Sequence, residues 1–358
     1  MAGTGCATAP RGLEAAVVEL VRRGPEHRIH VVLTADRWAD LSAGLPESVG
    51  TRLELRLRDA ERSMVSRRAA LAVPRRDPGY GLTPDGRHFR SAAPWPDAAV
   101  PIRAAWSGQT APQMRMLPEL LSPADLPDRP GEGFPIGLDE STLEPVRFDP
   151  GADQHLVVVG DPGSGRTGVL RLIAQSIVAR CMPAEARLML VDPRRGLTGA
   201  ADGRHLLIHA GSRAAVADAV ATVRQAMTER LPGPEVTAER LRKGRWWRGP
   251  DLFVLVDDYD LVAGTDGDPL AELVPLLPYA RDIGLHLIVA RRTAGAARAM
   301  YEPLPRMLTL LNSAFLLLSG SPAEGPIVGD VRPAKQPPGR GTLVTRAGVR
   351  VVQTAYPQ

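Results

Sequence analysis

The 358-residue chain has little of the material from which several classes of protein are built. Its two cysteines, Cys6 and Cys181, are too few for a disulfide framework or a metal cage of their own. No apolar run approaches the roughly 20 residues that a membrane-spanning helix needs, and the first residues lack the basic-then-apolar pattern of a signal peptide. We therefore expect a reducing, cytosolic setting.

Lysine and aromatic residues are also scarce. Lys243 and Lys335 are the only lysines among 44 basic residues, and aromatic side chains make up 4 % of the chain. The formal net charge of +4 is a small excess for this length, which permits an acidic partner but does not require nucleic acid. The abundance of arginine, glycine and proline is typical of a GC-rich genome, and we assign it no functional meaning.

Hydrophobic residues (44 %) and charged residues (23 %) are present in ordinary globular proportions, which excludes wholesale disorder. Residues 1–94 show helical and strand patterns. Residues 95–133 have the composition of a Pro/Gly-rich linker packed in part on its neighbours, with nine prolines between positions 94 and 135. In residues 134–358 apolar runs alternate with helical patterns, which predicts an α/β fold with a mostly parallel central sheet flanked by helices.

Six short apolar runs predict buried strands in this last part, and four longer patterns predict helices. The strands are 156–160, 187–191, 205–209, 252–256, 285–290 and 315–318, and the helices are 168–180, 213–231, 269–280 and 296–311. Continuous apolar runs are expected in central parallel strands because helices cover both faces of the sheet.

Two segments of the first part recur in the last part in the same order. The strand pattern of residues 29–37 resembles 285–292, with His30 and His286 at equivalent positions, and the Pro-Gly-x-Gly of 78–81 recurs at 338–341. Each Pro-Gly-x-Gly is followed by a turn and a closing strand. The matching segments lie much farther apart in the chain than the units of a solenoid, so the repeat indicates a tandem domain. We interpret residues 1–94 as a partial first copy without a phosphate loop.

A glycine-rich loop follows the first predicted strand of the last part. Residues 160–167 match the Walker A pattern G-x-x-x-x-G-K-T with arginine in place of lysine. Glycines let backbone N–H groups turn inward onto phosphate oxygens, and the following helix adds its positive end. The pattern predicts that ATP binds through Gly160, Asp161, Pro162, Gly163, Ser164, Gly165, Arg166 and Thr167, with the Thr167 hydroxyl as a Mg²⁺ ligand. The alternative is a glycine-rich turn without a ligand.

Arg166 departs from the pattern. The usual lysine is a compact charge that reaches the β- and γ-phosphates, whereas arginine is bulkier and prefers a planar, forked contact. We expect nucleotide binding to survive this change and hydrolysis to be weak or absent.

A second nucleotide-site pattern ends the apolar run 252–256, where Asp257 and Asp258 follow. It predicts that Asp257 holds Mg²⁺ and that Asp258 is the catalytic residue that orients the attacking water. Aspartate is one methylene shorter than the glutamate often found at the second position, which is a further reason to expect slow turnover. The alternative is that either aspartate caps the next helix.

Other basic segments follow other strands. Arg291 or Arg292 could sense a γ-phosphate from the strand end, or could be a solvated surface arginine. The segment 192–195, Asp-Pro-Arg-Arg, could meet a neighbouring subunit. Trp246 and Trp247 lie among basic residues and could stack on nucleic-acid bases, but an anchored loop is the favoured interpretation.

Together these segments resemble the EccC family, the FtsK/SpoIIIE-like motors of type VII (ESX) secretion systems. The resemblance to the family's last ATPase domain rests on the phosphate loop and on residues 253–262, 280–287, 296–303 and 337–341. The resemblance to the end of the preceding ATPase domain rests on residues 29–38, 52–57 and 81–86.

The resemblance implies a P-loop NTPase fold of the RecA/FtsK type in a cytoplasmic protein, held at the inner face of the cell membrane through the secretion complex. It implies WXG100-type secreted substrates, other subunits of the ESX core complex and a hexameric ring as partners, without direct contact to nucleic acid. It also implies a degenerate last domain that binds nucleotide or substrate in a regulatory way. The family's membrane helices and first ATPase domain have no counterpart here, so we expect a fragment or a split-gene product.

Two other functions compete with a secretion module. A DNA-translocating FtsK-like motor needs a hydrolysing site and a basic ring lining, and Arg166, Asp258 and the small net charge argue against it. A nucleotide-free docking scaffold has no chemical reason to keep both Thr167 and Asp257.

Overall fold

The computed structural model describes residues 13–41, 44–92, 99–105, 116–126, 133–201, 203–264 and 267–357. The chain separates into two compact units, Met1–Ala111 and Pro112–Gln358, which we describe separately. The division falls within the predicted linker. Much of that linker lies outside the described residues, as does Cys6.

The first unit is built from short elements. Its helices are α1 (Leu13–Arg23), α2 (Leu45–Ser48), α3 (Arg67–Leu71) and α4 (Ala99–Ala105), and its antiparallel sheet has the order β1 (Glu54–Leu55), β2 (Tyr80–Leu82), β3 (His88–Arg90). Buried Glu54 organises the unit, because its carboxylate accepts hydrogen bonds from Trp38 Nε1 at 2.6 Å, Ser63 Oγ at 2.6 Å and Met64 N at 3.0 Å.

The strand predicted around His30 is not formed. Residues 29–35 are not in a strand, and the side chain of Val32 is 89 % exposed. A central parallel strand needs hydrogen-bonded neighbours on both sides, and the described part of this unit offers only antiparallel strands of two or three residues. The matching segment in the second unit does form a strand, because it has two parallel neighbours.

The Pro-Gly-x-Gly segments, by contrast, lead into a β-hairpin in both units, as predicted. The first leads into β2 and β3, and the second leads into Arg340–Thr345 and Gly348–Thr354. Gly79 and Gly339 have φ angles of +90° and +77°, a conformation that glycine adopts without steric cost.

A ten-stranded sheet dominates the second unit. Its strands are β4 (Phe134–Asp139), β5 (Pro145–Phe148), β6 (Leu156–Val159), β7 (Ala186–Val191), β8 (Leu206–Ala210), β9 (Asp251–Val256), β10 (Leu285–Arg291), β11 (Ala314–Leu318), β12 (Arg340–Thr345) and β13 (Gly348–Thr354). The order is β5-β4-β13-β12-β11-β6-β10-β9-β7-β8, parallel from β11 to β8 and antiparallel elsewhere. All six predicted strands are confirmed.

The helices of this unit are α5 (Pro150–Asp153), α6 (Arg166–Arg180), α7 (Arg213–Thr228), α8 (Ala238–Lys243), α9 (Tyr259–Val262), α10 (Ala280–Ile283), α11 (Ala296–Ala299) and α12 (Pro303–Leu310). The predicted helix 269–280 is instead a 3-10 helix, Pro269–Tyr279, because Pro275 and Pro278 lack the N–H groups that an α-helix needs. The predicted helix 296–311 is broken in two, since Pro303 forces Glu302 out of the helical conformation and starts α12.

Side-chain alternation along the strands creates two apolar cores, one on each face of the sheet. Leu156 and Val158 face the core that contains α6, whereas Val157 and Val159 face the core that contains α7 and α12. Because both faces are covered, the free edge at which ligands can approach is the carboxyl end of the parallel strands, where the loops after β6, β7, β9 and β10 meet.

The described segment 116–126 of the predicted linker packs on this unit. Leu121 is buried, and its carbonyl accepts a hydrogen bond from Tyr356 N at 2.8 Å. The Arg340 guanidinium donates to the carbonyls of Leu117 and Pro118, each at 3.1 Å. Residues 116–126 thus pack on the second unit, whereas Ala99–Ala105 form helix α4 and not the extended chain that a linker composition predicts.

Candidate functional site

The glycine-rich loop joins β6 to α6 at the carboxyl edge of the parallel strands. Gly163 and Gly165 have φ angles of +78° and +108°, so both positions need glycine. A Cβ at Gly160 would collide with the Oγ of Ser164, so the loop turns back closely on its own backbone. The buried Ser164 Oγ has no hydrogen-bond partner among the described residues.

Backbone hydrogen bonds fix the loop to the sheet and to the last hairpin. The bonds run from Gly160 N to the Arg291 carbonyl (3.2 Å), from Asp161 N to the Ser319 carbonyl (2.8 Å) and from Gly339 N to the Ser164 carbonyl (2.8 Å). The loop is therefore held from β10, β11 and β12 at once.

The loop provides the features that an anion of the phosphate type requires. α6 starts at Arg166, so the N–H groups of its first turn lack intrahelical acceptors and carry the positive end of the helix dipole. One guanidinium nitrogen of Arg166, Nη1, is buried without a partner in the described part of the chain. Together with the Ser164 hydroxyl, these unpaired donors fit a polyphosphate.

The two predicted Mg²⁺ ligands lie in contact. Thr167 Oγ1 donates a hydrogen bond to Asp257 Oδ2 at 2.6 Å. Burial raises the pKa of the Asp257 carboxyl, and the hydrogen bond from Thr167 opposes that shift. A buried carboxylate of this kind is stabilised by a nearby cation. In the described residues no group of three His, Cys, Asp or Glu side chains could hold a metal, so Mg²⁺ here would also need phosphate and water oxygens.

Asp258 faces cations rather than open solvent. Its Oδ1 accepts a hydrogen bond from Arg166 Nη2 at 3.0 Å, and its Oδ2 lies 3.1 Å from Arg194 Nε. The side chains of Asp258 and Arg166 are 8 % and 10 % exposed. Both carboxylate oxygens are thus engaged by guanidinium groups, and the catalytic role of Asp258 stays a prediction.

The contact between Arg194 and Asp258 was not predicted from the sequence. Fully buried Asp192, directly after β7, fixes the loop that carries Arg194. Its carboxylate accepts hydrogen bonds from Gly196 N at 2.8 Å and Leu197 N at 2.7 Å. The signal that could have located this loop is an acid directly after a buried strand, the same signal that marks Asp257.

The two predicted sensor arginines have different surroundings. Arg292 donates from its backbone N (3.0 Å) and its side-chain Nε to the Asp260 carboxylate. Arg291 is buried, and burial lowers the pKa of its guanidinium, an effect that Asp260 and Glu302 oppose. Arg291 contacts the loop through its backbone carbonyl, and its alternation with Val289 places its side chain on the sheet face opposite α6. Its sensor role stays a prediction.

The tryptophan pair is anchored within the unit, in agreement with the favoured interpretation. Trp246 Nε1 donates to the Arg230 carbonyl at 2.8 Å, and Trp247 Nε1 donates to the Asp282 carbonyl at 2.7 Å. The guanidinium groups of Arg230 and Arg245 lie 3.9 Å and 4.9 Å from the centre of a Trp247 ring. The chain's own arginines therefore stack on the indole.

Known proteins resemble this chain in sequence and in fold. The FtsK/SpoIIIE family model matches residues 123–233. The ESX secretion system protein EccC of Thermomonospora curvata is 43 % identical over 96 % of this chain and 27 % of its own length. The ESX-4 secretion system protein EccC4 of Mycobacterium tuberculosis is 41 % identical over 96 % of this chain and 28 % of its own length. The chain thus spans little more than a quarter of these relatives.

A solved structure shows the same similarity in three dimensions. It contains ATPases 2 and 3 of Thermomonospora curvata EccC in complex with a signal sequence peptide, and it matches with a TM-score of 0.71 and 43 % identity over 97 % of this chain and 66 % of that one. Among the described residues, no helix combines the length and apolar character needed to cross a membrane. The chain therefore belongs to the FtsK/SpoIIIE family of ATPases, among the EccC proteins of ESX secretion systems.

Proposed function

We propose that this chain is the C-terminal ATPase module of a type VII secretion motor, which binds Mg-ATP at residues 160–167 with weak or absent hydrolysis. The observation that carries the proposal is the 2.6 Å contact between Thr167 and Asp257 beside a loop with unpaired buried donors. A hydroxyl and a carboxylate meeting next to such a loop are the protein's share of a Mg-nucleotide site.

Each side chain has a separable task in this site. Gly163 and Gly165 give the loop the conformation that presents its N–H groups, and α6 adds its positive end. Thr167 and Asp257 would hold Mg²⁺, while Arg166 would supply a charge to the phosphates. ATP, when bound, supplies the phosphate chain whose negative charge these groups offset.

We expect weak hydrolysis because of the residues at positions 258 and 166. A water-orienting carboxylate must reach the attacking water, and Asp258 is one methylene shorter than the glutamate often found at this position. Arg166 is also bulkier than the lysine of active phosphate loops. We therefore propose a regulatory nucleotide site rather than the power-generating site of the motor.

The relative whose solved structure contains a signal sequence peptide supports a second role, the recognition and translocation of WXG100-type substrates. The second unit offers exposed apolar side chains to such a peptide around α12, where Tyr301 is 82 % and Leu310 is 65 % exposed. Within the secretion system we propose a cytoplasmic position at the inner face of the membrane. The partners there would be other ESX core subunits and further copies of the chain in a ring, without direct contact to nucleic acid.

Calorimetry with Mg-ATP and the 358-residue chain tests the nucleotide site. We expect Thr167→Ala to weaken Mg-ATP binding about tenfold, or about 1.4 kcal/mol, because it removes a hydroxyl ligand of the metal. Thr222→Ala, which changes an exposed threonine on α7, is the matched control.

The outcomes separate the three candidate functions. Absence of binding to a folded wild-type chain would favour a nucleotide-free scaffold. ATP turnover stimulated by DNA would favour a DNA translocase. Binding without appreciable turnover supports the secretion module.

A further inference from the structure

Asp258 lies between two guanidinium groups at the phosphate loop. Arg166 belongs to the loop itself, whereas Arg194 belongs to the loop after β7, and each contacts a different oxygen of the carboxylate. The cluster holds two positive charges and one negative charge. Asp257, whose carboxylate accepts a hydrogen bond from Asp258 N at 3.0 Å, adds a second carboxylate beside this cluster.

The two arginines are held with unequal strength. The ion pair between Arg166 and Asp258 is almost fully buried, and breaking such a pair without a replacement partner is costly. The side chain of Arg194 is 63 % exposed, so solvent and salt screen its contact with Asp258. Separating Arg194 from Asp258 therefore takes little free energy. An incoming anion can therefore recruit Arg194 readily, and it must itself replace Asp258 as the partner of Arg166.

The loop contains donors that the carboxylate does not satisfy. Arg166 Nη1 and Ser164 Oγ are buried without partners in the described part of the chain. A guanidinium has five donors in a planar fork, and a phosphate group can accept from two of them at once. A phosphate chain thus offers Arg166 more hydrogen bonds than Asp258 does.

We propose that the Asp258 carboxylate competes with the phosphates of a bound nucleotide for Arg166 and Arg194. Asp258 then acts as a built-in competitor that lowers nucleotide affinity, and Arg194 acts as a second phosphate-binding cation that no sequence motif marks. The inference rests on the proposed nucleotide site. In this role Asp258 weakens ATP binding, whereas a magnesium ligand or a positioning group for ATP would strengthen it.

The direction in which one substitution changes ATP affinity separates these roles. Asp258→Asn keeps the shape of the side chain and removes its charge, so both guanidinium groups become available to phosphate. We expect ATP to bind about tenfold more tightly to this variant, a change of about 1.4 kcal/mol. The gain should appear in EDTA as well as in Mg²⁺, because it does not act through the metal.

The role of Arg194 is tested in the same titrations. Arg194→Gln should reverse most of the gain when combined with Asp258→Asn, because the two residues act on the same phosphates. Arg195→Gln removes the same charge from an adjacent exposed side chain and should leave ATP affinity unchanged in either background. Circular dichroism and thermal unfolding establish that each variant is folded.

Each result has one meaning. Unchanged or weaker ATP binding by folded Asp258→Asn, with binding by the wild type, overturns the inference and leaves the nucleotide site intact. Absence of binding by both chains refutes the proposed nucleotide site itself. Binding by Asp258→Asn alone supports the inference. Should Asp258→Asn fail to fold, Arg194→Gln alone decides: weaker ATP binding than that of Arg195→Gln supports the proposal, and equal binding overturns it.

Discussion

Gly196 controls the spacing of the predicted magnesium ligands, although no motif includes it. A Cβ at this position would lie 2.9 Å from Thr167 Cγ2 and 3.4 Å from Asp257 Oδ2. Rotation of Thr167 is restricted, because threonine on a helix has two main rotamers and its hydroxyl is held by Asp257. Gly196→Ala should therefore push Thr167 away from Asp257. We expect an overpacking cost of about 1–2 kcal/mol in the free energy of unfolding.

Thermal unfolding and calorimetry measure the two consequences. The melting temperature should fall by about 2–4 °C for each kcal/mol lost in a unit of this size. Mg²⁺ should strengthen ATP binding less in the variant than in the wild type, because its two protein ligands no longer meet. Gly203→Ala is the matched control, since a Cβ there has nothing within 4 Å. If Gly196→Ala matches this control in both measurements, the crowding argument is wrong.

Two other perturbations test the supports of the site. Asp192→Ala should lower the free energy of unfolding by about 2–3 kcal/mol, because it leaves the N–H groups of Gly196 and Leu197 without an acceptor; an unchanged urea midpoint would contradict this. Burial lowers the pKa of His155 from 6.5 to about 3, so below pH 6.5 the unfolded chain binds a proton that the folded chain refuses. The free energy of unfolding should therefore fall as the pH drops from about 6.5 toward 3. His155→Asn should make that fall shallower between pH 7 and 5 in urea titrations, and an equal slope in both chains would exclude His155 as its source.

The sheet of the second unit was largely predictable, because each central strand is a short apolar run whose burial on both faces leaves a mark in the sequence. Pro269–Tyr279 was predictable only as an apolar helical turn, since the helix type depends on Pro275 and Pro278. The pattern around His30 misled for a different reason. Its apolar residues are those of a buried strand, but strand formation depends on neighbours that the pattern does not encode.

The candidate site also has some features that the sequence predicts and others that it does not. The loop and Asp257 follow from local patterns, because backbone conformation and the strand end fix their places. The partners of Asp258 do not, since Arg166 and Arg194 are distant in sequence and only the folded sheet brings their loops together. An acid after an apolar strand predicts that a carboxylate reaches the phosphate loop, but not whether water or a guanidinium occupies its oxygens.

The hydrogen bond from Gly339 N to the Ser164 carbonyl connects the last hairpin directly to the phosphate loop. Arg340, the next residue, donates to the carbonyls of Leu117 and Pro118, in the segment that precedes the first strand of the unit. The loop is thus connected to that segment through two consecutive residues, without passing through the packed core. A displacement of the phosphate loop would therefore disturb the hydrogen bonds that hold residues 117 and 118 on the second unit. The last hairpin gives the phosphate loop and this segment a common support.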